Sequence, residues 1–196
     1  MPRRQPTRVK VKRILAEATA EAWDEEDAEG EEIRVVDVVC GTDFTLCVAE
    51  DGTVYSWGCN EYGCLGRGGS DGDGGGDSDG EGSLFVPMIV GPERSFFGGG
   101  SVWKLACGPA HVLALTEADT VYAWGNGEYG CLGLGDDEDR DTPEKVTFLT
   151  AEGNELHAPI HNISAGLDGS CFITESGKVY VRLVAAALIF GCVYEF

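Results

Sequence analysis

"VYSWGCNEYGCLGRG", residues 54–68, returns as "VYAWGNGEYGCLGLG", residues 121–135. A catalytic site is normally built once, whereas a structural unit is what gets copied. Working outward, residues 38–68 align with 105–135 at an offset of 67 without a gap, with 16 identities in 31 positions. A third copy starts at Ile163, at an offset of 58 from the second. It keeps Gly166, Thr174, Glu175, Val179 and Tyr180, then departs into "RLVAAALIFGCVYEF".

The offsets differ because the first copy carries an insertion. Each full copy reaches Pro-x-x-Val, at 87–90 and 143–146, but the first takes 21 residues from Gly66 and the second 10 from Gly133. The extra stretch is the acidic Gly/Asp/Ser loop at 67–83, which holds no core-forming residues.

Within a copy the pattern is β. "TLCVA" (45–49) and "VLALT" (112–116) are short apolar runs. In "VYSW" and "VYAW", alternation puts Tyr55 with Trp57, and Tyr122 with Trp124, on one face. Asp51-Gly52 and Ser176-Gly177 read as hairpin turns of type I′, while Ala118-Asp119 points to a different turn. Gly41, Gly108 and Gly166 precede the apolar runs and mark a tight bend or close backbone approach. Pro87 and Pro143 open a further strand, where a missing donor is tolerated. Four short strands per unit, punctuated by glycine and aromatics, describe blades of a β-propeller.

The expected organisation is all-β. A charged arm, helical or disordered, covers 1–32, basic from Arg3 to Arg13 and acidic at 21–32. Repeats at 38–104, 105–162 and 163–181 lie within 33–181, giving about two full blades and a truncated third. A divergent apolar tail covers 182–196.

Charge and composition narrow the function. A net charge of −20 repels phosphate backbones, so nucleic acid is an unlikely partner. No stretch reaches the ~20 apolar residues of a membrane helix. No secretory signal is visible, which points to a soluble protein of the cytoplasm or nucleus. Cys40 matches Cys107 and Cys64 matches Cys131, as small buried template residues would. Zinc is disfavoured because Cys59 becomes Asn126 in the copy and no second close pair follows. The acidic loop from Asp71 has Gly82 where a calcium loop needs its bidentate glutamate. His111, His157 and His161 form no triad pattern, so no catalytic residue, cofactor site or metal site is expected. The recurring Trp and Tyr residues read as packing between blades.

Gly108-x-x-His111, Leu115-Thr116, Val121-Tyr122-x-Trp124-Gly125-Asn126 and Gly130-x-Leu132-Gly133 together resemble the regulator of chromosome condensation repeat family. The first copy matches through Gly41, Val54, Tyr55, Trp57, Gly58, Asn60, Gly63, Leu65 and Gly66. Cys64 and Cys131 stand where the family has Gln, and Phe44 and Gly169 stand where the second copy has His111. The family's rings hold about seven repeats, which makes this chain a fragment or truncated form that further repeats or chains would complete. The resemblance implies a non-enzymatic protein-interaction scaffold. Its alternative is guanine-nucleotide exchange on a small GTPase, the activity of the founding member.

Overall fold

The computed structural model describes residues 33–68, 88–90, 97–148, 159–183 and 192–194. The arm at 1–32, most of the acidic loop, Pro87 and His157 lie outside the described residues. Among the described residues, twelve strands fall into three four-stranded antiparallel sheets. Blade 1 holds β1 (Val35–Cys40), β2 (Phe44–Ala49), β3 (Val54–Gly58) and β4 (Met88–Ile89). Blade 2 holds β5 (Val102–Cys107), β6 (His111–Thr116), β7 (Val121–Gly125) and β8 (Arg140–Lys145). Blade 3 holds β9 (Ile160–Ala165), β10 (Gly169–Thr174), β11 (Val179–Leu183) and β12 (Cys192–Tyr194). In each sheet the strands lie in chain order, each paired antiparallel with the next.

The third copy forms strands beyond the last residues that match the repeat motif. β11 runs on to Leu183, and the apolar tail supplies β12, paired with β11 through Val179↔Tyr194, Tyr180↔Val193 and Val181↔Cys192. An outer strand joins its sheet through backbone hydrogen bonds, so it survives the loss of the side-chain motif that marks it in sequence. The outer edge also explains Pro143, which sits inside β8 rather than opening it, where no further strand needs its missing donor.

The three β-hairpins correct the turn assignment. Gly52 donates to Ala49, Asp119 to Thr116 and Gly177 to Thr174, and each loop closes one residue later. The third loop residue has positive φ in all three: Gly52 at 78°, Asp119 at 56° and Gly177 at 82°. This is the three-residue loop with one left-handed position, not type I′, and it is the same in every blade. Asp119 fills a glycine position because aspartate tolerates that conformation better than most side chains.

Each inner strand also carries the same bulge. β1 skips Val36, β5 skips Trp103 and β9 skips His161 in the pairing with the next strand. The skipped residues all face solvent.

Packing follows from the strand period of two. One face of blade 1 (Phe44, Leu46, Val48, Val54) meets the opposite face of blade 2 (Val102, Leu105, Val112, Ala114, Trp124). The other face of blade 2 (Leu113, Leu115, Val121, Ala123) meets blade 3 (Ile160, Ile163, Phe172). The core is therefore two seams between sheets. At the ends of the arc the same positions lose cover. Val38 is 58% exposed, whereas its equivalents Leu105 and Ile163 are 3% and 4% exposed. At the far end Cys171, Ile173, Val179 and Val181 are only half-buried, where Leu113, Leu115, Val121 and Ala123 are fully buried.

Candidate functional site

The buried polar chemistry lies in the seams. At the first seam, Trp124 is fully buried, and its indole Nε1 donates to the Cys64 carbonyl at 2.9 Å. Gly66 makes room for the indole: a Cβ there would lie 2.7 Å from Nε1, and its φ is 69°. Phe97 closes the seam edge-on against Tyr122, with ring centroids 5.2 Å apart. At the second seam, Phe148 stands edge-on to Phe172 at 5.1 Å and tilted against Tyr180 at 5.7 Å.

The second seam has no tryptophan. Arg182 occupies the position equivalent to Trp124 and lies beside Gly133, the equivalent of Gly66. The Cys131 carbonyl is instead met by the Ser170 hydroxyl at 2.7 Å. Ser170 in turn faces His111 Nε2 at 3.1 Å. The single hydroxyl proton goes to the carbonyl, so Nε2 carries the hydrogen and donates to Ser170. Burial holds the His111 imidazole down to about 4, with Asp168 opposing the shift, so the ring is neutral near pH 7. In the first seam the equivalents of His111 and Ser170 are Phe44 and Val112, both in the apolar cluster.

Of the template cysteines, Cys40 is exposed and Cys107 half-buried, while Cys64 and Cys131 are buried hydrogen-bond donors. Burial pushes the Cys64 thiol up to about 12 and the Cys131 thiol up to about 11. Each stays protonated and donates to the start of its own turn, Cys64 to the Cys59 carbonyl at 3.1 Å and Cys131 to the Asn126 carbonyl at 3.0 Å. Such thiols lack the thiolate character of nucleophiles or metal ligands. Ser56, also fully buried, donates to the Leu65 carbonyl at 2.8 Å and receives the Arg67 guanidinium.

The other repeat-template residues fall into place around these bonds. Tyr55 lies on the outer face of blade 1 in a small buried cluster with Cys47 and Ala49, and Trp57 packs half-buried against it. Leu65 and Leu132 are core residues. Gly58 and Gly125 end β3 and β7. Gly63 and Gly130 close one-turn 3-10 helices at Glu61–Gly63 and Glu128–Gly130. Gly41, Gly108 and Gly166 each donate a backbone bond to the carbonyl of residue 44, 111 or 169. The Phe44 and His111 rings lie against the first two of these glycines, and Gly169 offers no ring to the third.

What the two full copies expose alike is a tyrosine on each 3-10 turn. Tyr62 and Tyr129 are 44% and 53% exposed, and both have positive φ, at 60° and 64°. That conformation is an outlier for a bulky side chain, and little of either ring is buried in return. Carboxylates surround them. Glu61, then Asp139 and Glu128, raise the Tyr62 phenol. Glu128, with Asp168 at longer range, raises that of Tyr129. The acidic connection after β7 folds beside them. Asp136 and Glu144 pair with Arg140 at 2.8 Å and 2.9 Å, and Asp139 caps the Gly127 amide at 2.8 Å. Sequence reasoning missed the exposed pair although Glu-Tyr-Gly repeats letter for letter. It also missed Ser170 and Arg182, because their partners are a backbone carbonyl and a glycine, which leave no side-chain signature.

Among the described residues no three His, Cys, Asp or Glu side chains converge as a metal site would, and no helix is long and apolar enough to cross a membrane. The fold and its seams define a repeat protein of propeller blades. The Regulator of chromosome condensation (RCC1) repeat model matches residues 51–115 and 119–173, and a second model of the same repeat matches 35–64 and 104–131. The chain belongs to the regulator of chromosome condensation repeat family.

It is 38% identical over 142 residues to serine/threonine-protein kinase Nek9 of Xenopus laevis, covering 72% of this chain and 13% of that protein. It is 40% identical over 149 residues to E3 ubiquitin-protein ligase HERC2 of Homo sapiens, covering 75% of this chain and 3% of that one. Among solved structures, Prp20p from Saccharomyces cerevisiae, studied with its binding to Gsp1p and histones, superposes with a TM-score of 0.57 at 28% identity. That match covers 75% of this chain and 32% of Prp20p. The chain therefore spans a small part of the proteins it matches.

Proposed function

We propose that this chain is a non-enzymatic protein-interaction scaffold, working as a sector of a larger propeller. One observation carries the reading. The buried polar side chains of the seams hold blade to blade, while each full copy holds an exposed tyrosine in a strained backbone among carboxylates. Backbone strain concentrates at functional positions. Rigid sheets presenting side chains on connecting turns are a common way to build a contact surface. The exposed core position at Val38 and the half-buried one at Ile173 support further repeats on both sides, from the same chain or another. The compartment that fits this reading is the cytoplasm or the nucleus.

A photo-cross-linking residue at position 62 or 129 of the full chain tests it in cells. Protein adducts of discrete mass are expected from these two 3-10 turns, the rim, and not from position 175, on the exposed blade 3 hairpin. Equal labelling at all three sites, or none at the rim, contradicts the proposal.

A second reading, guanine-nucleotide exchange on a small GTPase, is favoured by the likeness to Prp20p, whose structure was studied with its binding to Gsp1p. Nucleotide-release assays on small GTPases separate the two. Acceleration supports exchange; its absence leaves the scaffold.

A further inference from the structure

We propose that the His111–Ser170–Cys131 chain is an acid-released latch, so that mild acid opens the seam between blades 2 and 3 while the seam between blades 1 and 2 stays shut. The geometry is a three-member relay crossing the seam. His111 belongs to β6, Ser170 to β10 of the next blade, and the Cys131 carbonyl to the turn after β7. His111 is 1% exposed and Ser170 fully buried, so water does not substitute for either partner.

Protonation finds no accommodation there. The new proton would sit on Nδ1, which lies against Gly108 on the side of the Gly166 carbonyl, and among the described residues it makes no hydrogen bond there. The groups that face the ring are the Ser170 hydroxyl, the Cys131 turn with its neutral thiol, the Gly166 carbonyl beside Gly108, and the Asp168 carboxylate from the β9–β10 loop. Asp168 favours the charged ring, but burial outweighs it. A buried imidazolium is relieved when the seam opens and the ring reaches water.

The other seam is a built-in control. Its equivalent positions hold Phe44 and Val112, and its equivalent carbonyl, on Cys64, is met by the Trp124 indole, which does not titrate. Where Arg182 stands in place of an indole, the Cys131 carbonyl is met by Ser170, whose other neighbour titrates. The depressed value means the latch holds fully above the ordinary histidine range near 6.5. It weakens as pH falls toward the folded-state value of about 4.

Hydrogen exchange on the full chain, corrected for intrinsic rates, reads each seam separately. Between pH 7.5 and 5.0, protection of the β9–β10 amides is expected to fall about 25-fold, with less than about threefold change in β2–β3. His111→Phe copies the residue of the first seam; His111→Gln keeps a donor for Ser170 but does not titrate. Both are expected to flatten the blade 3 response. The proposal is overturned if blades 1 and 3 lose protection together in the parent, if neither loses it, or if the blade 3 loss persists in whichever variant folds.

Discussion

At the seam between blades 1 and 2 the Cys64 carbonyl is met by the Trp124 indole; at the seam between blades 2 and 3 the equivalent Cys131 carbonyl is met by the Ser170 hydroxyl. Both carbonyls are buried by the packing of sheet on sheet, so each must find a donor. The first seam draws it from a large apolar ring that also fills the seam. The second divides the work between Arg182, which lies beside the glycine, and Ser170, which makes the hydrogen bond. The comparison teaches that the repeat specifies a carbonyl to be satisfied and a space to be filled, and that one residue or two can do it.

The largest test removes the indole. Trp124→Ala is expected to cost about 3–5 kcal/mol in urea unfolding, from lost burial and an orphaned Cys64 carbonyl. Trp57→Ala, at the half-buried end of the arc, is expected to cost about 1–2 kcal/mol. Equal losses would mean that Trp57 is as enclosed as Trp124.

The glycines sharpen the same comparison. Gly66→Ala forces a Cβ to 2.7 Å from the Trp124 indole, whereas at Gly133 the nearest atom is Arg182 Cγ, at 3.3 Å on a flexible chain. Both substitutions carry the strain of a positive φ, about 1–2 kcal/mol. Gly66→Ala is expected to cost about 1–3 kcal/mol more than Gly133→Ala by thermal unfolding, because overpacking adds to it.

Arg140 lies outside the seams, at the start of β8 beside the rim. Its carboxylate partners are largely exposed, so Arg140→Ala is expected to cost under about 1 kcal/mol, and less in high salt. The smallest effect is expected at the rim itself. Tyr129→Gly releases a strained backbone while removing an exposed ring, so stability should hold or rise by up to about 1 kcal/mol. A clear loss would show that the ring supports the fold rather than facing a partner.

Much of this was legible in the sequence. Two near-identical stretches identified a blade, and alternation put the aromatics on one face. The rest was hidden for physical reasons. Ala118-Asp119 does not look like Asp51-Gly52, yet the flanking strands impose one loop geometry on both, and Asp119 accepts positive φ. The tail hid β12 because an edge strand is held by its backbone. Ser170 hid because its partner is a carbonyl 39 residues away in the chain. Tyr62 and Tyr129 hid because tyrosine gives no sign of a left-handed backbone.

The claim that one seam can stand in for the other has a direct test. Ser170→Val alone should cost about 1–3 kcal/mol at pH 7.5, because the Cys131 carbonyl and the His111 Nε2–H both lose their partner. The triple variant His111→Phe, Ser170→Val, Arg182→Trp rebuilds the first seam's chemistry at the second. Measured by urea unfolding, it should return to within about 1 kcal/mol of the parent, with strongly non-additive coupling among the three sites. A triple variant as unstable as the summed single losses would contradict the account.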